Sequence, residues 1–331
     1  MFLTLLGTPS PLTAAVLKTV QVLVECLLGN YHWIAAGTSD DLRKAWVDRG
    51  ERPIVMFADI PSRDITNMLI DAKLPLVVCI EPPAAIVEHL ARTRNLTGLP
   101  ALRLASQSLA TLHNIALNPA AYRLPVSIAD ATLEEVVEGL AHIYGLALDM
   151  ERRAEIMRRL RGGRNIDSLR EMSASEQTGT QSHEPMPPLD SLDGYDALIG
   201  GRPVQHFVWQ PHVFLGAKPM GEPLAGPIEL IGARRCFLFG PYFHLPPGLW
   251  TITVDFTIAG NISGNVLKID AYTDRIIEER STRLPPDGRF ACSIDVTIDE
   301  PRLPLQIRLF TEEGAIEGRV TLHGVAIKRI R

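Results

Sequence analysis

The stretch LLGTPSPLTAAVL, residues 5–17, joins an apolar run ending at Gly7 to a helix expected to begin near Thr13. Such a turn is a place for anions, because the first N–H groups of a helix lack intrahelical partners and the helix dipole favours negative charge there. Thr8, Ser10 and Thr13 add hydroxyl donors. A tight phosphate loop also has several glycines and a Lys or Arg; this turn has Gly7 alone and no cation. A second set of residues lies far along the chain. Trp209, Tyr242, His244, Trp250 and Tyr272 offer rings, while Asp255, Asp270, Arg308 and Glu317 offer polar groups. Rings for apolar C–H faces and bidentate groups for hydroxyls are what a saccharide requires. Alternation puts Trp250 and Phe256 on the inward face with Ile252 and Val254, so Tyr242 and His244, beside a Pro-rich turn, are the better ligand-facing rings.

Other reactive side chains read as structural. His32, His89, His113 and His142 lack metal-ligand spacing, and no metal is expected. Cys26, Cys79, Cys236 and Cys292 are far apart in apolar segments, the pattern of buried thiols in a reducing compartment. Asp59, Ser62 and Arg63 follow an expected strand, at the edge where open α/β sheets bind ligands, but Asp59 and Ser62 serve equally as caps of the next helix. Arg152, Arg153, Arg158, Arg159 and Arg161 form a basic helix face, solvated or able to dock an acidic partner.

The elements that hold these residues fall into two halves. The chain has 331 residues, 46% hydrophobic and 21% charged, with net charge −5, and suits about two domains. That balance gives no general attraction to nucleic acid or anionic membrane. The run LTAAVLKTVQVLVECLLG carries Lys18 and Glu25 and reads as a buried helix rather than a membrane span. With no basic secretory start, the expected location is cytoplasmic.

From 1 to 161, MFLTLL, YHWIAAG, PIVMFADI and LPLVVCI are apolar runs of strand length. They alternate with helices that start after Thr38 and Ser62, and together imply a parallel α/β sheet. A last helical stretch, ATLEEVVEGLAHIYGLALDMERRAEIMRRLRGG, opens with the capping pair Thr132 and Glu135 and puts Leu133, Val136, Val137, Leu140, Ile143 and Tyr144 on one face toward the sheet. Residues 162–200 are rich in Ser, Gly, Pro and charge, and predict a linker, flexible at least over 172–190. From 201 to 331 the hydrophobic period becomes 2, with turn signals between strands, predicting an antiparallel β-sandwich of jelly-roll type.

Two resemblances attach to these halves. GTPSPLTAAVL, VMFADIPS and PLVVCIEPPAAIVEHL, within residues 1–150, resemble the bacterial sulfotransferase family, whose P-loop-like fold binds PAPS. Against that family's G-x-P-[RK]-S-G-T turn, Gly7, Pro9 and Thr13 match, whereas Ser10, Pro11 and Leu12 replace the basic residue, the serine and the glycine. The family's later R-D-P element falls on Ile80, Glu81 and Pro82, with Glu88 near its serine. FGPYFHLPPGLWTITVDF, residues 239–256, and IEGRVTLHGVAI, residues 316–327, resemble a carbohydrate-binding-module-like sandwich attached to bacterial polysaccharide-assembly proteins; Gly240, Pro241, Tyr242, Leu245, Pro246, Gly248, Trp250, Glu317 and Arg319 carry the match.

These observations lead to a non-catalytic accessory or scaffold protein of bacterial surface-polysaccharide production, binding a polysaccharide or a partner protein and needing no cofactor. Gly7, Thr8, Ser10 and Thr13 are its vestigial phosphate loop, and Tyr242, His244, Trp209, Arg308 and Glu317 its expected ligand contacts. One alternative is a PAPS- or nucleotide-dependent transferase acting on a sugar, with PAPS or PAP at that loop. Another is a structural homo-oligomer.

Overall fold

The apolar run that opens the chain becomes β1 (Phe2–Gly7), the middle strand of a parallel sheet with β2 (His32–Ala35), β3 (Ile54–Ala58), β4 (Leu76–Cys79) and β5 (Ala121–Leu124). The order is β2-β3-β1-β4-β5. The computed structural model describes residues 1–175, 187–217 and 220–330, and element counts refer to those residues. The chain divides into two units, Met1–Met186 with Asp196–Pro203, and Pro187–Tyr195 with Val204–Arg331.

In the first unit, Leu5, Leu6, Ile54, Val55, Val77 and Val78 are wholly buried. Side chains on both sheet faces are therefore covered, which is why these strands read as continuous apolar runs rather than alternating ones. Helix α1 (Pro11–Leu28) is long and apolar enough to cross a membrane by composition. Here Leu12, Ala15, Val16, Val20, Leu23 and Val24 form a stripe buried in the core beside Leu3, Leu5, Val55 and Val77 of the sheet. Between β2 and β5 run α2 (Ser39–Asp48), α3 (Arg63–Asp71), α4 (Pro83–Arg94) and α5 (Gly98–Ala116). Thr38 and Ser62 cap α2 and α3 as expected, and Thr38 forms a reciprocal box with Asp41.

Three features differ from the sequence reading. Strand β5 carries no apolar run: it is an edge strand with Tyr122 and Arg123 between Ala121 and Leu124, and Tyr122 is exposed. The helix expected from residue 132 onward is two helices, α6 (Leu133–Ile143) and α7 (Met150–Arg161). Gly145 turns the chain with φ of 65°, a conformation that favours glycine, and Asp149 caps α7 by accepting from the Arg152 N–H at 2.7 Å. The segment 162–200 is not a linker throughout. Ile166, Leu169 and Met172 are buried, the last two on α8 (Leu169–Ser175), in the first unit's core. Leu192 and Tyr195 are buried in the second unit, and Leu198 in the first. In this polar stretch Ile166, Leu169 and Met172, and again Leu192, Tyr195 and Leu198, recur every three positions and are buried. Residues 176–186, part of the expected flexible span, lie outside the described residues.

The second unit is the expected antiparallel sandwich. Its strands are β6 (His206–Trp209), β7 (Leu215–Ala217), β8 (Met220–Pro223), β9 (Ile228–Glu229), β10 (Arg235–Phe239), β11 (Pro241–Phe243), β12 (Gly248–Ala259), β13 (Val266–Tyr272), β14 (Ile276–Arg283), β15 (Gly288–Ile298), β16 (Leu305–Thr311) and β17 (Arg319–Arg329). One sheet has the order β14-β13-β16-β10-β7-β8 with β11 also on β16; the other is β15-β12-β17-β6 with β9 on β17. Trp250, Ile252, Val254, Phe256 and Ile258 of β12 and Leu305, Ile307 and Leu309 of β16 are buried at alternate positions, giving the inner faces.

The capping boxes are local enough to test singly. Thr132→Ala removes the acceptor for the Glu135 N–H at the start of α6 and is expected to cost about 1 kcal/mol in chemical denaturation of the full chain, the usual loss for such a cap.

Candidate functional site

The 7–13 turn sits where strand order reverses, since β1 lies between β3 and β4 and the chain leaves toward β2 through α1. Open α/β sheets bind ligands at this switch point. The turn is filled by its own groups. Pro11, the first residue of α1, has no N–H to offer. The Leu12 N–H donates to Glu81 Oε2 at 2.8 Å, the Thr13 N–H to Ser10 Oγ at 3.4 Å, and the Ala14 N–H to the Ser10 carbonyl at 3.0 Å. Thr8 Oγ1 donates to Ser10 Oγ at 3.3 Å and accepts from the Glu81 N–H, while Ser10 Oγ donates to Thr13 Oγ1 at 3.0 Å. Thr8, Ser10, Thr13 and Glu81 are all buried. A side chain on Gly7 would meet Thr13 at 2.6 Å, so this glycine serves close packing of β1 on α1. Gly7, Thr8, Ser10 and Thr13, expected as a vestigial phosphate loop, form a closed cap. Glu81, which stands in the family's R-D-P element, puts its own carboxylate at the helix N-terminus, where the dipole stabilises it.

The remaining candidates of this unit are engaged. Ser62 caps α3, and Asp59 pairs with Arg94 at 3.3 Å. Arg158 and Arg159 share Glu155, Arg161 pairs with Asp167, Arg153 with Glu138 and Arg152 with Asp149. The basic helix face is therefore matched within the unit. His113 is buried with Nδ1 on Asn114 Oδ1 at 2.8 Å. No cluster of His, Cys, Asp or Glu among the described residues could hold a metal ion.

In the sandwich the ligand candidates separate into two groups. Trp209 is 1% exposed and packs edge-on against Phe243, with ring centres 5.7 Å apart. Trp250 is wholly buried, as its alternation predicts, and donates from Nε1 to the Pro246 carbonyl. His244 is 5% exposed, with Nδ1 on the Pro301 carbonyl at 2.9 Å, and burial lowers its pKa to about 4. Trp209 and His244 are corrected to core residues, since a covered ring has no face for a ligand. Glu317 Oε1 accepts from the Ser263 N–H, fastening a loop.

Tyr272, Asp270 and Arg308 come together on the outer face of the sheet containing β13 and β16, and Tyr242 lies on β11, which pairs with β16 in the same sheet. Register places Asp270 opposite Arg308, Lys268 opposite Phe310 and Tyr272 opposite Gln306. Arg308 donates from Nε and Nη2 to the two oxygens of Asp270, each at 2.8 Å. Its Cζ lies 4.0 Å from the Tyr272 ring centre and 5.3 Å from that of Phe310. The Asp270 hydrogen bonds raise the pKa of Arg308 against the opposing effect of burial. Asp270 is wholly buried, while Arg308, Tyr272, Phe310, Phe239 and Tyr242 are half-buried. Phe239 and Tyr242 stand perpendicular, 6.3 Å between ring centres; the chain reaches Tyr242 through a cis Gly240–Pro241 bond, and Tyr242 has φ of 69°. The other sheet's outer face differs. It carries the short polar pairs Thr251–Asp295 and Thr253–Ser293, with Thr257–His323 and Asp255–Arg289.

No family model matches the sequence, and no curated protein is similar to it. Solved structures similar to the chain include the xylan-binding module CBM15, at 13% identity over 32% of this chain and 77% of that one, with a TM-score of 0.26. The CBM36-1 domain of a multidomain xylanase from the hindgut metagenome of Trinervitermes trinervoides is 9% identical over 38% and 98%, TM-score 0.26. TmCBM61, solved with beta-1,4-galactotriose, is 15% identical over 38% and 88%, TM-score 0.25. Scores this low carry no functional argument, which rests instead on the chain's own residues.

Sequence reasoning missed Phe239, Phe310 and Lys268. For Phe310 the signal was present in LPLQIRLFTE: it shares the outward register of Gln306 and Arg308, so it is an aromatic ring on the polar side of an alternating strand.

Two outcomes follow from these contacts. Glu81→Ala leaves the Leu12 N–H without its acceptor and should lower stability by about 1–2 kcal/mol, whereas Glu81→Gln, which keeps an acceptor, should lose less; denaturant titration measures both. His244 has a folded pKa of about 4 against an ordinary 6.5. Between those values the unfolded chain takes up a proton at this ring and the folded chain does not, so stability falls with decreasing pH, by up to about 3 kcal/mol. His89 is lowered in the same way, so the effect is read as the difference in pH slope between the wild type and His244→Gln, whose slope should be shallower.

Proposed function

We propose that this chain is a non-catalytic binding protein of bacterial surface-polysaccharide production, holding glycan on the outer face of β13, β16, β10 and β11. The observation that carries the reading is Arg308, fixed by two hydrogen bonds to a fully buried carboxylate, laid against Tyr272 and near Phe310, in a sheet whose strands β10 and β11 add the half-buried Phe239 and Tyr242. A guanidinium clamped in this way presents directional donors to hydroxyl groups without further loss of side-chain freedom, and ring surfaces beside it suit the apolar side of a sugar. The non-catalytic part of the proposal is supported by the first turn of α1, whose N–H groups are all taken within the chain.

Glycan-array screening followed by calorimetric titration of the full-length protein tests this reading. Tyr242→Ala and Phe310→Ala are each expected to weaken saccharide binding about ten-fold, in line with about 1 kcal/mol or more for an aromatic contact, with melting temperatures monitored alongside. No saccharide binding to the wild type would overturn the glycan reading. PAPS, PAP and nucleoside triphosphates should leave the melting temperature unchanged; a ligand at 100 times its Kd would stabilise by about 2.7 kcal/mol and be plainly visible.

A further inference from the structure

The charges on the same face differ in how firmly they are matched, and that difference narrows the class of glycan. Lys268 Nζ lies 4.8 Å from the centre of the Phe310 ring, and Arg308 Cζ lies 5.3 Å from the same point. Two cations therefore converge on one ring, each with a carboxylate. Asp270 is 0% exposed and grips Arg308 through both oxygens. Glu279, on the edge strand β14, is 53% exposed and reaches Lys268 through one 3.3 Å contact. Lys268 itself is only 15% exposed. The ammonium of a largely covered side chain, held by one contact to a half-exposed carboxylate, has an exchangeable partner, because ion pairs with a solvated member are weak. Asp270 cannot be exchanged in this way, and it leaves Nη1 of Arg308 outside its grip.

We propose, granted the glycan reading above, that this face is a subsite for acidic sugars, in which a uronate carboxylate displaces Glu279 from Lys268. Adjoining sugar hydroxyls accept from Nη1 of Arg308. The commitment to a carboxylate follows from the group that holds the place, which is itself a carboxylate. With both cations within about 5 Å of the Phe310 centre, the arrangement falls within the reach of one or two sugar rings. The ring of Phe310 lines the space between them.

The experiment compares, by calorimetry on the full-length protein, a uronate oligosaccharide with its carboxyl-reduced counterpart, which differ only at C6, and adds a sulfated oligosaccharide of the same length. The expected result is at least ten-fold tighter binding of the uronate at low salt, with a preference that shrinks as salt screens it. Lys268→Gln should remove the preference while leaving binding of the reduced form. Glu279→Gln, at an exposed position that need not disturb folding, should raise uronate affinity about three-fold or more by removing the competing carboxylate. Equal affinity for the uronate and reduced forms, or weaker uronate binding by Glu279→Gln, overturns the acidic-sugar assignment and leaves the glycan reading standing. Binding of the sulfated form in preference to the uronate overturns the carboxylate class. Failure of all three to bind, with no hit on the array, overturns both proposals.

Discussion

The Glu81 carboxylate on the first free N–H of α1 is the contact on which the α/β unit turns. It joins the end of β4 to the start of the helix that follows β1, across the point where the sheet offers a ligand crevice. A helix N-terminus in that position needs an anion or a set of acceptors. This chain supplies both from within, and the rest of the unit is organised on that closure. Leu12 and Thr13 are drawn inside, Gly7 is pressed against Thr13, and the apolar stripe of α1 begins one residue after its proline start. Tyr144 of the C-terminal helical layer then reaches back to the Thr4 carbonyl of β1 at 2.9 Å, locking the same strand from the far end of the unit's sequence.

The sandwich obeys a different constraint. Each long strand must place one set of residues inward, so its other set is free to be chosen for the surface. On β12, β15 and β17 that choice is Thr, Ser, Asp, Arg and His in short polar pairs, which satisfy one another at the surface. On β13 and β16 the outward set is Lys268, Asp270 and Tyr272 against Gln306, Arg308 and Phe310. The two outer faces are built under the same periodicity and differ only in what the sequence writes on it.

That distinction also marks how far the sequence could be read. Both fold classes were legible, because continuous apolar runs and strict alternation report two-sided and one-sided burial directly. Two edge strands were not: β5 and β14 bury too little to leave a pattern, and β14, IIEERSTR, is nearly all exposed. The segment 162–200 was misread in part because composition averages over position; its isolated Ile166, Leu169, Met172, Tyr195 and Leu198 each found a buried place. Among site residues, Arg308 and Tyr242 were legible as residue types without their surroundings. Trp209 and His244 failed because side-chain chemistry says nothing of burial; Trp209 shares the inward alternation of Phe207 on β6, and His244 lies just past the end of β11.

The Arg308–Asp270 pair is where these two lessons meet. Burying a carboxylate is costly, and a well-packed apolar pair of similar size is often as stable, so such a pair is poor support for a stability role. If its purpose were packing, it would sit between the sheets, where every neighbouring position on β16 is apolar. Instead the acid is covered and the guanidinium emerges, 21% exposed, on the outward register beside two rings. The covered half fixes the orientation of the emerging half, and only the emerging half meets solvent. An arrangement that spends its buried charge on aiming a surface cation has the physical character of a recognition element.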